Sequence, residues 1–198
     1  MPRVIVQWLY AILCGLTLLT SQAALAADKT PPLRQGNSQT YHEDEVMREA
    51  SAFFRKSTEG LAKVIAKAFK EQGEPNGFIK GEEAAGAIGV GLRYGHGELQ
   101  TRGGRAQKVY WQGPSIGFDL GGNASKVFVL VYQLSDTEKL FQRFPGVDGS
   151  LYFVGGVGLC YLRSEGITLA PVRLGVGWRQ GASVGYMHFT KNKRWNPF

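Results

Sequence analysis

The groups in this 198-residue chain that could do acid–base, nucleophilic or metal chemistry are few and scattered. His42, His96 and His188 lie far apart, with no HExxH pair and no cysteine cluster, so the spacing predicts no metal site. Ser115 in "GPSIG" lacks the G-x-S-x-G elbow that presents a nucleophile, and no catalytic residue or cofactor is predicted. Glu82 and Glu83 are adjacent, which would point them apart in a strand; their polar context reads as a solvated loop before one. Asp119 interrupts the apolar "SIGFDLGG", where a carboxylate needs either solvent or a buried cation. Arg93, Arg173 and Arg179 lie in expected strands of the glycine-rich part of the chain and are its candidate partners. One reading is a structural ion pair or an exposed face. The other is an anion-binding lining of three arginines with Asp119 setting their geometry, in which Arg173→Met weakens binding without unfolding. Trp111, with Tyr94, Tyr110, Trp178 and Tyr186, either fills a core or stacks on a sugar or acyl ligand; Trp111 joins the candidate ligand set.

The elements that must hold these residues fall into two kinds. From Thr40 to Gly73, apolar residues recur at three- and four-residue steps (Val46, Ala50, Phe53, Leu61, Val64, Ile65, Ala68), which predicts an amphipathic helix. Thr40 with Glu43 has capping-box spacing, Gly73 fits the C-cap, and "STEG" at 57–60 is a potential break into two helices. Beyond Gly86 the texture changes. Of the 27 glycines, 21 lie between Gly86 and Gly185, and the short segments between them are β-rich. Strands are expected near 87–94, 98–102, 108–112, 115–120, 127–134, 151–157, 158–163, 167–172, 174–179 and 183–190. "SDTEKLFQRF" is expected as one short helix among them, of about nine residues.

"GVGLRYG", "GVGLCYL" and "GVGWRQG" repeat a G-V-G step. A glycine inside a strand marks a bend or a close backbone approach, and no helix follows as a dinucleotide fingerprint would require. The expected fold is therefore mainly β: a small soluble closed antiparallel barrel of about eight strands, with an N-terminal helical segment and one short helix between strands.

Residues 1–26 have a basic start at Arg3, an apolar run from Val4 to Leu19 and a small-x-small end at Ala24–Ala26, the layout of a secretory signal peptide. The apolar run of about 16 residues is short for a bilayer span. Leu13 before Cys14 does not fit a lipoprotein site. Residues 27–39 read as a flexible tail, and 40–198 as a single helix-plus-barrel domain. Removing the leader takes away Cys14 and leaves Cys160, so no internal disulfide is expected, and Cys160 reads as a buried small hydrophobe. The formal net charge of +7 drops by one with Arg3 and still favours anionic surfaces. Export argues against nucleic acid.

A terminal Phe198 resembles the end of an outer-membrane barrel. Short expected strands and the polar series Asn196, Arg194, Asn192, Thr190 argue instead for a protein that does not span the membrane after cleavage. Trp195, Pro197 and Phe198 are then expected to plug one end of the barrel.

"PNGFIKGEEAAGAIGVGLRYGHGEL", "VYWQGPSIGFDLGGNASK", "RFPGVDGSLYFVGGVG", "APVRLGVGWRQGASVGYMHFT" and "WNPF", in this order from about Glu43 to Phe198, resemble the EipA family of envelope-integrity proteins of alphaproteobacteria. The resemblance implies a soluble periplasmic barrel, with no catalytic residues, that supports resistance to envelope stress and is linked to the lipopolysaccharide layer. Its implied partners are lipopolysaccharide, lipid or other envelope proteins. His96 stands where the family pattern would have an acid. "GLAKVIAKAF", "WQGPSIGFDLGG" and "VFVLVYQLSDTEKLFQRF" bear a fainter likeness to the lipid-binding SYLF domain, which implies as the alternative a module for an acyl chain or anionic headgroup.

Overall fold

The computed structural model describes residues 39–86, 90–116, 125–175 and 185–194. Two helices come first, α1 (Glu43–Phe54) and α2 (Glu59–Gln72). The first begins later than Thr40: His42 is its N-cap, and Glu45 reaches back to accept the His42 N–H at 3.0 Å. The break between them comes from Arg55, which adopts the left-handed conformation (φ 54°) and stops α1. Thr58 then caps α2 by accepting the Leu61 N–H at 3.1 Å, and Gly73 ends it. Gly60 does not break the helix. It lies inside α2, where a β-carbon would come within 2.7 Å of the Val154 carbonyl oxygen, so glycine lets the helix press on the sheet.

Among the described residues, ten strands follow in one antiparallel sheet: β1 (Gly77–Gly86), β2 (Val90–Thr101), β3 (Gln107–Ile116), β4 (Ser125–Tyr132), β5 (Arg143–Pro145), β6 (Tyr152–Val154), β7 (Val157–Leu159), β8 (Leu162–Ser164), β9 (Ile167–Leu174) and β10 (Tyr186–Thr190). Their order is β5-β10-β3-β2-β1-β4-β9-β7-β6, with β8 also on β9. The sheet curls on itself. Its β5 end meets β8 through the single Gly146–Leu162 bridge, next to a Val147 N–H to Tyr161 carbonyl bond of 2.9 Å. Closure is thus a seam and not a full ladder, and the strands exceed the expected eight because β6 and β7 form a hairpin beside the ring.

Two further expectations change. The predicted nine-residue helix is a single 3-10 turn, Thr137–Leu140, capped by Asp136, and Arg143–Pro145 after it is strand. Short predicted strands merge into β2 and β3, of 12 and 10 residues, and the 10-residue β1 lies where no strand was expected. Strand length therefore no longer argues against a membrane barrel. Charge still does, because Glu82, His96, Glu98 and Lys108 are exposed on one face of these strands, where a membrane barrel carries an apolar band.

β4 shows why the core forms as it does. Its residues alternate between two apolar environments, so nearly the whole strand is buried. Val127, Val129 and Val131 point into the curled sheet with Ile79, Leu99, Val109, Leu169, Met187 and Phe189. Phe128, Leu130 and Tyr132 point outward, where Val46, Ala50, Leu61, Val64, Ile65 and Ala68 of the helices cover them. The helical arm is therefore a lid on one side of the sheet.

Candidate functional site

Among the described residues, the interior is apolar except at one place. Glu83 on β1 sits opposite Gly95 of β2 and Ser125 of β4, and its side chain is 3% exposed. It occupies an inward position by alternation from the buried Ile79. Arg173 on β9, opposite Val127, points the same way. Its Nε donates to Glu83 Oε1 at 2.6 Å and its Nη2 donates to Oε2 at 3.3 Å, a two-point clasp. Arg93 on β2 brings its Nε to 3.6 Å from Oε1. The Trp111 indole N–H on β3 donates to Oε2 at 3.3 Å. Arg173 also reaches Cys160 Sγ and Met187 Sδ, each at 3.9 Å.

Glycine makes room for this cluster. A β-carbon at Gly95 would fall 2.1 Å from the Trp111 ring, and one at Gly81 would fall 2.5 Å from it. The indole lies flat over these two strands because neither has a side chain there, and its other neighbour is Phe189, with ring centroids 5.7 Å apart.

The electrostatics follow from burial and charge together. Burial alone would push the Glu83 carboxyl up, but the guanidiniums of Arg173 and Arg93, with the hydrogen bonds from Arg173 and Trp111, hold it below the usual carboxylate range. Burial likewise opposes the charge on Arg173, and the Glu83 carboxylate beside it keeps it above its ordinary value. A carboxylate held ionised between two guanidiniums and an indole has no proton to give at neutral pH. Its chemistry is to orient the arginines.

Of the residues singled out from sequence, the structure brings Arg93, Arg173 and Trp111 together; Asp119 and Arg179 lie outside the described residues, as do Trp178, Trp195, Pro197 and Phe198. The described carboxylate partner of the arginines is Glu83. The reading of Glu82 and Glu83 as a solvated loop is corrected: both are in β1, Glu82 is exposed and Glu83 is buried. The adjacency itself says that in a strand the two acids face apart; what was missed is that residues 77–86 form a strand. Trp111 is 2% exposed and is core. Among the histidines, His42 Nδ1 is 2.8 Å from Glu74 and secures the start of α1, and no group of three His, Cys, Asp or Glu side chains among the described residues is placed to hold a metal. Cys160 is half-buried.

The opposite face of β1–β3 carries a second feature. A cleft of about 540 Å³ is lined by Glu82, Tyr94, His96, Tyr110, Thr190 and Arg194, among others, and Glu83, Gly95 and Trp111 of the inner cluster also border it. Tyr94 and Tyr110 are diagonal neighbours on β2 and β3, because Tyr94 faces Gln112 and His96 faces Tyr110.

These features can be set beside known proteins. The Envelope integrity protein A family matches residues 39–198. A solved structure, a beta-barrel-like, uncharacterized protein from Brucella abortus, is 44% identical with a TM-score of 0.75, and the alignment covers 81% of this chain and 99% of that one. No curated protein matches. The family match spans the helical lid, the curled sheet and the buried glutamate alike, and the chain belongs to the EipA, or Envelope integrity protein A, family.

Proposed function

We propose that this is a non-enzymatic periplasmic protein that supports cell-envelope integrity under stress, in connection with the lipopolysaccharide layer. Residues 1–26 direct export and are removed, 27–39 form a tail, and 40–198 are the working domain. Family membership supports the envelope role. The observation that carries the non-enzymatic part is the Glu83 clasp: the most deeply buried acid among the described residues is held ionised by Arg173 and Arg93 inside a packed interior. It lacks the shifted, proton-bearing state a general acid needs.

The same clasp weighs against the SYLF-like alternative. An acyl chain or headgroup entering the interior to meet Arg93, Arg173 and Trp111 would have to displace Glu83 from a two-point bond. The protein acts from its surface in this reading.

The test is genetic. Deleting the gene should sensitise cells to detergent and to cell-wall antibiotics, and the full chain should restore resistance while a chain lacking residues 1–26 should not. Unaltered resistance in the deletion strain, or rescue without the leader, would overturn the proposal.

A further inference from the structure

The outer cleft has a composition that the packed interior lacks. It runs across the strand order β10-β3-β2-β1, three strand spacings or about 14 Å. At its β10 end, Thr190 is tied by a 2.9 Å hydrogen bond from its Oγ1 to the Asn192 carbonyl, and the chain beyond brings Lys193 and Arg194 to the wall. In the middle lie the rings of Tyr94 and Tyr110, each half-buried. At the β1 end are Glu82 and His96, which face each other across β1 and β2 and are exposed. Basic groups, aromatic rings and hydroxyl-seeking polar groups thus follow in sequence along one cleft, whose volume is in the range of small-ligand sites.

Each section selects a different part of a ligand. Tyrosine rings offer flat apolar faces with a polar tip, suited to the C–H face of a sugar. Guanidinium and ammonium groups bind phosphate by charge-assisted hydrogen bonds. A carboxylate and an imidazole at the far end accept or exchange hydrogen bonds with hydroxyls. An acyl chain would leave both polar ends unmatched, and a bare phosphate would leave the tyrosines uncovered.

We propose that this cleft binds a phosphorylated saccharide, with the sugar ring on Tyr94 and Tyr110, the phosphate at Arg194, and ring hydroxyls toward Glu82 and His96. The proposal rests on the surface-acting reading and gives that surface a ligand class.

The experiment is titration of the purified mature protein with glucose 6-phosphate, glucose and inorganic phosphate, read by calorimetry and by amide chemical shifts. Glucose 6-phosphate should bind at least tenfold more tightly than either of the other two, with shifts centred on β2, β3 and β10. Arg194→Gln should weaken glucose 6-phosphate at least tenfold and leave glucose unchanged; Tyr110→Ala should weaken both sugars. Both variants must keep the parent thermal midpoint, and Tyr110→Leu, which fills the space without an aromatic face, stands in if Tyr110→Ala does not. Equal affinity for inorganic phosphate and glucose 6-phosphate would reduce the cleft to an anion patch and overturn the proposal, as would no binding. Such a failure would leave the deletion phenotype intact, so the two readings fail separately.

Discussion

The same three strands, β1 to β3, present opposite chemistry on their two faces. Inward, Glu83 and Trp111 are buried and engaged with the partly buried Arg93, and Arg173 from β9 completes the contact. Outward, one residue away along each strand, Glu82, Tyr94 and Tyr110 border an open cleft. The inner face has a carboxylate, guanidiniums and an aromatic ring, a set that would usually mark a binding site. Its geometry shows these groups consumed by one another. The outer face has more charged groups, exposed and spread apart, and more room. Site-like composition and an accessible site are separate properties, and a shift of one residue exchanges one face for the other.

The largest test of this contrast is Glu83→Gln. It keeps the shape and removes the charge between two buried guanidiniums, and breaking such a pair from one side costs about 3–5 kcal/mol. Urea denaturation should show that loss at neutral pH. A loss below about 1 kcal/mol would mean the cluster is not the structural clasp described here. Acid sharpens the same comparison. The folded Glu83 carboxyl lies below its ordinary value, so its stabilisation is fully present above the ordinary carboxylate range and is lost as pH falls through the folded value. The stability gap between the parent and Glu83→Gln should stay constant from neutral pH down to the ordinary carboxylate range and narrow only below it. A gap that closes nearer neutrality would contradict the direction of the shift.

Next in size is Gly95→Ala. The added carbon would meet the Trp111 ring at 2.1 Å, an overpacking that costs about 1–3 kcal/mol. Chemical denaturation of this variant checks whether the indole can move aside. The smallest effect belongs to the outer face: His96→Gln, one residue along, should change stability by less than about 0.5 kcal/mol, measured the same way. If it destabilised as much as Gly95→Ala, the outer face would be structural too and the distinction between the faces would collapse.

The sequence carried a good part of this. Helical periodicity marked the apolar stripe of α1 and α2, and the glycine-rich texture after Gly86 marked the β half, because both are local and repeat many times. Arg93, Arg173 and Trp111 were recognisable as a set. The acid that joins the described members was not, because Glu83 is separated from Arg173 by 90 residues, and its neighbour Glu82 made the pair look like a loop. The short helix predicted at "SDTEKLFQRF" failed for a related reason: a capping signal and a few apolar residues are enough for a turn, and pairing of Arg143–Pro145 with β10 claims the rest for strand.

What the sequence by itself determined is that an amphipathic helical arm precedes a glycine-rich β half, the helix face that must be covered and the cationic and aromatic residues near the cluster. These follow from spacing and side-chain type. Tertiary structure alone decided which carboxylate the arginines meet, that Gly81 and Gly95 open a bed for Trp111, and that one face of β1–β3 is closed while the other is open. Those depend on register between strands far apart in the chain, where a slip of a single residue turns every side chain to the other side of the sheet.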